Sequence, residues 1–271
     1  MNKPMIADEL WRRLEPLLSQ AKARREKYPG RKPVPDRAAL NGIAFVLHTA
    51  LRWRDLPAEM GCGSGVTCWR RLRDWQEAGV WDRLHEVLLG KLRAAGQIDL
   101  SRVVVDSPSV RAIGAGTKTG HPVYRARPGS KHHVATDANG VPLSISLTGA
   151  NRHDVTQLLP LIDAIPAIRS IRGRPLQMPQ VVLADRGYDS ESHRQKLLDR
   201  GIKPVLAKRR TEHGSGLGTY RWVIERTHAW FHNFHRLRIR YERPAKIHEA
   251  FLKFAACLIC WNTLQRSISA F

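Results

Sequence analysis

Three carboxylates stand where this sequence could hold a metal ion: Asp106 closing RVVVD, Asp185 closing QVVLAD, and Glu225 inside YRWVIERTHAWFHNF. The two aspartates follow β-branched runs, which places them at strand ends. The glutamate lies on an amphipathic helical pattern. Hard anionic oxygens are the donors that magnesium prefers. Two such ions roughly 3.5 to 4 Å apart can activate an attacking oxygen and stabilise a leaving one during in-line displacement at phosphorus. Each acid alone has an ordinary reading, since a strand-end Asp often caps a turn and Glu225 can pair with Arg221 or Arg226 on its own helix. Their order along the chain favours the metal site over three separate accidents.

The charge balance says what such a metal would act on. Lys and Arg number 45 against 24 acids, a formal charge of +21 over 271 residues. A polyanion gains free energy by releasing counterions onto such a surface, so double-stranded DNA is the expected partner. The charge is spread in clusters, Lys22 to Lys32, Arg70 to Arg73, Lys208 to Arg210 and Arg236 to Arg243, as in a folded protein with several basic faces. No run reaches the roughly 18 consecutive apolar residues of a spanning helix, and the start MNKPMIADELWRRL lacks the apolar core of a signal peptide. These features predict no membrane association and a place in a bacterial cytoplasm, at the nucleoid. Cys62, Cys68, Cys257 and Cys260 read as core residues rather than as a disulfide framework or zinc site, because FLKFAACLICW reads as a buried helix and Cys62 has no second pair nearby.

The elements that must position the acids change character near residue 98. Residues 1–97 read as an all-α domain: ADELWRRLEPLLSQ, then DRAALNGIAFVLHTALR with Asp36 as its cap, then SGVTCWRRLRDWQEAG and VWDRLHEVLLGKLRAAG. Short helices with a sharp glycine-containing turn resemble a helix-turn-helix reader, whose basic helix would present Arg70, Arg71, Arg73 and Thr67 to a major groove. An ordinary bundle with solvated arginines is the competing reading. Residues 98–271 alternate strands and helices: SRVVVD, SVRAI, KHHVATD and VPLSISLTG with a tight turn at Asn139-Gly140, helix DVTQLLPLIDAIP, strand QVVLAD, helix SESHRQKLLDRG and strand KPVLA. Two long helices follow, YRWVIERTHAWFHNFHRL and KIHEAFLKFAACLICWNTLQRS, separated by RYERP. This is the order of a ribonuclease H-like α/β fold, a mixed sheet flanked by helices. The basic, glycine-rich loop Gly114 to Gly129 is expected at the surface, near bound nucleic acid.

VVVDSPSVRA, PGSKHHVATDANGVPLSISLTGANRHD, LADRGYDS, RWVIERTHAWFHNFHRLRIRYER and FLKFAACLICW together resemble the transposases of bacterial insertion sequences, in particular the IS-five family within the larger IS-four-like group. RWRDLPAEMG and RLRDWQEAGVWDRL resemble that family's helix-turn-helix leader, so the likeness spans nearly the whole chain. The resemblance implies that Asp106, Asp185 and Glu225 are a DDE triad holding two Mg2+ ions, with Mn2+ able to substitute, and that Arg221 lies near substrate phosphate. Many relatives carry a tyrosine three positions before that arginine and a lysine seven after the glutamate; Gly218 and His232 stand there in this chain.

The implied activity is cleavage of DNA at terminal inverted repeats followed by strand transfer, performed by an oligomer, most simply a dimer. A catalytically silent DNA-binding derivative and a nuclease that only hydrolyses are the rival readings. Asn151, His153 and Asp154 in GANRHD could support the metal site through hydrogen bonds, or could form a capping turn with Asp154 as the cap. His232 is a further candidate for that supporting shell. Lys131, His132, His133, Arg236 and Arg238 are candidate DNA contacts, and His228, His232 and His235 read as DNA contacts or a polar helix face rather than as metal ligands.

Overall fold

Val103, Val104 and Val105 are wholly or almost wholly buried, as a strand covered on both faces must be. They form β1 (Val103–Asp106) at the centre of a seven-stranded sheet. The computed structural model describes residues 5–18, 27–28, 30, 32–121, 127–170, 172–210 and 218–269. Much of the basic stretch Lys22 to Lys32, and residues 122–126 of the loop between Gly114 and Gly129, lie outside these.

After Ser107 and Pro108 the chain resumes as β2 (Ser109–Ala112), then runs through β3 (Gly129–Thr136) and β4 (Pro142–Gly149). β3 pairs antiparallel with β4 along its length, so β1 and β2 share its other edge: Asp106 lies opposite Val134, and Ser109 opposite Lys131. β5 (Val181–Ala184) runs parallel to β1, and β6 (Lys203–Leu206) parallel to β5. The spatial order β4-β3-β1-β5-β6, three antiparallel strands followed by two parallel ones, is that of a ribonuclease H-like sheet. The β3–β4 turn is closed by Asp137, whose carboxylate accepts the backbone N–H groups of Asp99, Asn139 and Val141, with Gly140 at φ +85°.

Among the described residues, four α-helices precede the sheet: α1 (Asp8–Leu14), α2 (Asp36–Thr49), α3 (Gly65–Glu77) and α4 (Val80–Ala94). Within and after it come α5 (Leu158–Asp163), α6 (Glu191–Leu198), α7 (Gly218–His232), α8 (His235–Arg238) and α9 (Ala245–Ser269). α9 ties the two halves of the chain together. Its Phe254 meets Trp81 with ring centroids 4.7 Å apart, and Phe251 stacks on Trp53 at 5.6 Å. Buried residues from Ile6 to Leu264 accordingly form one continuous core across residue 97.

Three details depart from the periodicity. The helix expected through Leu237 breaks after His232, because Phe234 turns to an extended conformation and packs against His48 with ring centroids 4.8 Å apart. A short strand, β7 (Ile239–Arg240), then adds parallel to β2, where only a separator was expected. The caps shift by one residue: Pro35 and His153, rather than Asp36 and Asp154, precede their helical segments, a displacement usual at helix ends.

Candidate active site

The parallel pairing of Val105 with Ala184 makes the next residues of the two strands neighbours. Asp106 and Asp185 therefore stand side by side, one strand spacing of about 4.8 Å apart at the backbone. Side chains alternate across a strand, so both point to the face shared by Val104 and Leu183. That face is covered by α7, whose Ile224 packs with Val104, Leu183 and Ala207.

Docking through Ile224 lays one stripe of α7 over the strand ends. Arg221, Glu225 and His228 lie at i, i+4 and i+7 on that stripe. Arg221 Nη2 is 4.0 Å from Asp106 Oδ1 and His228 Nε2 is 3.3 Å from Asp106 Oδ2. Glu225 lies between them in sequence and is exposed. Among the described residues no three His, Cys, Asp or Glu side chains converge into a metal-binding group. The structure thus joins Asp106 to Asp185 and leaves Glu225 facing solvent on the helix above.

The two aspartates are driven apart electrostatically. Burial works to raise the Asp106 pKa, but the adjoining His228, the Ser107 backbone N–H and Arg221 together hold it below the usual carboxylate value. Asp185 is raised, first by burial and then by the negative charge of Asp106, although its Oδ1 accepts the Gly187 N–H at 2.8 Å. Two crowded hard oxygen donors of this kind fit a divalent cation, whose charge removes the repulsion between them.

A further acid adjoins the pair. Asp154 Oδ1 accepts from Ser107 Oγ at 2.6 Å and from Lys131 Nζ at 2.8 Å. A Cβ added at Gly187 would lie 3.0 Å from Asp185 Oδ1 and 3.1 Å from Asp154 Oδ2, so the two carboxylates flank the space that glycine leaves open. Sequence reasoning weighed Asp154 only with its neighbours in GANRHD, and those neighbours do other things. Asn151 packs its side-chain oxygen against Gly120 and Gly149. The exposed His153 offers its carbonyl to Thr156. His232, half-buried, has its pKa lowered by burial, His228 and Arg238.

The expected DNA contacts separate sharply. Arg236 is not at the surface, contrary to expectation: its guanidinium is buried, bonded to Glu242 at 2.6 and 2.8 Å and to the carbonyls of Ala50 and Leu51. Lys131 is engaged by Asp154 and by the carbonyl of Arg152. His132 is buried and bonds His248 on α9, and His133 bonds Thr148, so neither meets a DNA backbone. Arg238 is exposed and donates to the His232 carbonyl at the end of α7. On α3, Ser64 caps the helix by accepting the Thr67 N–H, while Cys68, Leu72 and Trp75 face the core. Arg71 pairs with Asp36, and Arg73 with Asp74, leaving Arg70 as the exposed arginine of the three without an ion-pair partner among the described residues.

Residues 98–261 match the family described as "Transposase DDE domain". The chain belongs to the DDE transposase family. Residues 6–85 of the transposase also match the "Putative transposase of IS4/5 family". It is 74% identical over 151 residues to the putative transposase for insertion sequence element IS402 of Burkholderia cepacia, a match covering 55% of this chain and 72% of that one. It is 75% identical over 120 residues to the insertion element IS402 uncharacterized 16.2 kDa protein of the same organism, covering 44% and 82%. A crystal structure of the Mos1 strand transfer complex aligns with 92% of this chain and 81% of its own at 11% identity, with a TM-score of 0.35, too low for any argument to rest on it. The protein is thus a DNA-cleaving and strand-joining enzyme of the bacterial insertion-sequence type, dependent on a divalent metal. No helix among the described residues is long and apolar enough to cross a membrane.

Proposed function

We propose that Asp106, Asp185 and Glu225 are the catalytic carboxylates, that they hold two magnesium ions, with manganese able to substitute, and that the transposase cuts DNA at the terminal inverted repeats of its own insertion sequence. The observation that carries this reading is the adjacency of Asp106 and Asp185 at the ends of two parallel strands, beneath the helix that bears Glu225. Bound cations supply Lewis-acid charge to the phosphoryl oxygens and lower the pKa of an attacking water.

The protein's own groups do the positioning. Arg221 and His228 keep Asp106 ionised and the Gly187 N–H orients Asp185; Arg221, 4.0 Å from Asp106, holds a non-bridging oxygen of the scissile phosphate. Water displaces the 3′-oxygen at the element end, which leaves as a 3′-hydroxyl. That hydroxyl then attacks a phosphodiester of target DNA and joins the element to it. Arg70, at the exposed face of α3, reads base edges, and Arg238 contacts the backbone. Both ends must be joined in one event, so the active species is an oligomer, most simply a dimer, acting on the bacterial nucleoid in the cytoplasm. Residues 1–97 serve chiefly recognition and residues 98–271 chiefly chemistry, although they share a core.

The test is cleavage and joining of labelled element-end DNA by purified protein with magnesium. Asp106→Asn, Asp185→Asn and Glu225→Gln should each abolish cutting while leaving DNA binding intact. Full activity in any of the three removes that residue from the triad.

A further inference from the structure

A groove of about 340 Å³ lies along β2, on the side of the acid cluster marked by Lys131 and Asp154. It is lined by Ser109, Pro128, Gly129 and Ala150 together with Arg111 and Arg127. Both arginines are exposed, and neither has an acidic partner among the described residues. No acid among the described residues lines the groove, so two guanidinium charges face it without compensation from them. Other arginines here are tied down: Arg236 by Glu242, Arg194 by Asp189, and Arg240 by four backbone carbonyls.

The groove lies on the face of the sheet away from α7 and runs toward the strand end of Asp106 by way of Ser109 and its neighbour Lys131. Ser109 is the register partner of Lys131, whose ammonium reaches Asp154, and Arg111 follows two residues later on the same face of β2. The chain from Asp106 to Arg111 spans at most ~17 Å at the rise of an extended strand. A duplex strand covers that length in about five phosphates at ~3.4 Å each. The lining offers two guanidinium forks, which match phosphate oxygens, beside glycine, alanine and proline surfaces low enough to admit a sugar.

We infer that this groove binds the phosphodiester backbone of one DNA strand, with Arg111 and Arg127 each holding a phosphate within about five nucleotides of the cleaved bond. The inference rests on the proposed function and adds to it a track on the side of the sheet opposite α7. The bound species is a backbone rather than a base sequence, because nothing but charge and a shallow small-residue lining is offered.

The experiment measures binding apart from cutting. Fluorescence anisotropy of a labelled element-end duplex, without divalent metal, gives the dependence of affinity on salt. Removing two phosphate contacts should flatten the log-log slope by about 1.8 in Arg111→Gln/Arg127→Gln. Arg111→Lys/Arg127→Lys should keep most of the slope, and Arg169→Gln/Arg172→Gln, two exposed arginines elsewhere, should leave it unchanged. Neutral methylphosphonates placed singly near the cut should weaken wild-type binding at one or two positions and have no further effect there in the glutamine variant. An unchanged slope in that variant, an equal loss in the Arg169/Arg172 control, or undiminished methylphosphonate sensitivity overturns the groove, even where wild-type protein cuts DNA with magnesium. Wild-type protein that neither binds nor cuts overturns the groove and the proposed function together.

Discussion

Lys131 and Asp154 are joined at 2.8 Å beneath the strand end that carries Asp106, with both side chains largely withdrawn from solvent at 14% and 23% exposure. The same Asp154 oxygen takes the Ser107 hydroxyl, so the residue following Asp106 is pinned from the opposite face of the sheet. Asp154→Asn keeps the shape and removes the charge. Outer partners of metal-site carboxylates typically matter by about 10- to 100-fold in activity or metal affinity, and cleavage should fall within that range while the melting temperature changes little. Lys131→Met should lower cleavage by a similar factor and add little to the aspartate variant. Single-turnover cutting at increasing magnesium checks this; an Asp154→Asn enzyme with unchanged rate and magnesium dependence would show the pair to be structural only.

Arg236 and Glu242 form an ion pair with only 5% and 3% of their side chains exposed. Arg236 also satisfies the carbonyls of Ala50 and Leu51 where α2 ends in a left-handed Ala50, φ +61°. Removing one partner strands a buried charge, and Arg236→Met should destabilise by ~3–5 kcal/mol. The double variant Arg236→Met/Glu242→Leu should recover part of the loss. Urea unfolding measures both, and a near-neutral Arg236→Met would contradict the buried placement.

How far the sequence reveals this site depends on what each pattern can distinguish. Asp106 and Asp185 are legible because valine runs fix the strands and a strand's end follows from where the run stops. Arg236 is not legible: in RLRIRYER it looks the same as Arg238, and only the fold, by returning Glu242 and the end of α2 to it, sends one inward and the other to solvent. Asp154 resembles a helix cap for a similar reason, since its partners Ser107 and Lys131 are remote in sequence. The shared core was hidden too, because helical periodicity in α4 and α9 shows that each has an apolar face, not that the faces meet. His228 carried a signal, its spacing from Arg221, but spacing alone could not name Asp106 as its neighbour.

His133 should make stability depend on pH. Burial is the main cause that lowers its pKa to about 4, below the ordinary histidine value of about 6.5. Its contribution is therefore full above the unfolded value and is lost as pH falls through 6.5 towards 4, by about 3 kcal/mol in order of magnitude. Asp137 acts oppositely: raised to about 6 chiefly by burial, it contributes below 3.8 and loses that contribution as pH rises through 6. The two largely offset one another between pH 4 and 6, so the informative quantity is a difference. The stability gap between wild type and His133→Gln should widen as pH rises from 4 to 6.5. A gap independent of pH would mean that His133 binds its proton equally well in the folded and unfolded protein, against the lowering by burial.

Gly42 on α2 sits close against Cys68 on α3 and against Cys62. A Cβ there would lie 2.8 Å from Cys68 Sγ, 2.9 Å from Cys62 Sγ and 3.0 Å from Cys62 Cβ, all in the buried core. Both sulfurs are wholly buried, so Gly42→Ala should cost ~1–3 kcal/mol by overpacking, despite alanine's better helix propensity. Cys68→Ala empties one of the contacts, and in the double variant part of the cost should be recovered, a coupling of about 0.5 to 3 kcal/mol. The same closeness governs reactivity, because burial and the neighbouring Cys62 push the Cys68 thiol up to about 12. Folded protein should therefore resist a thiol reagent near neutral pH at Cys68, and Gly42→Ala, by loosening the α2–α3 contact, should speed the reaction. If Gly42→Ala melts at the wild-type temperature and its thiols remain equally slow, the two helices do not meet as closely as this.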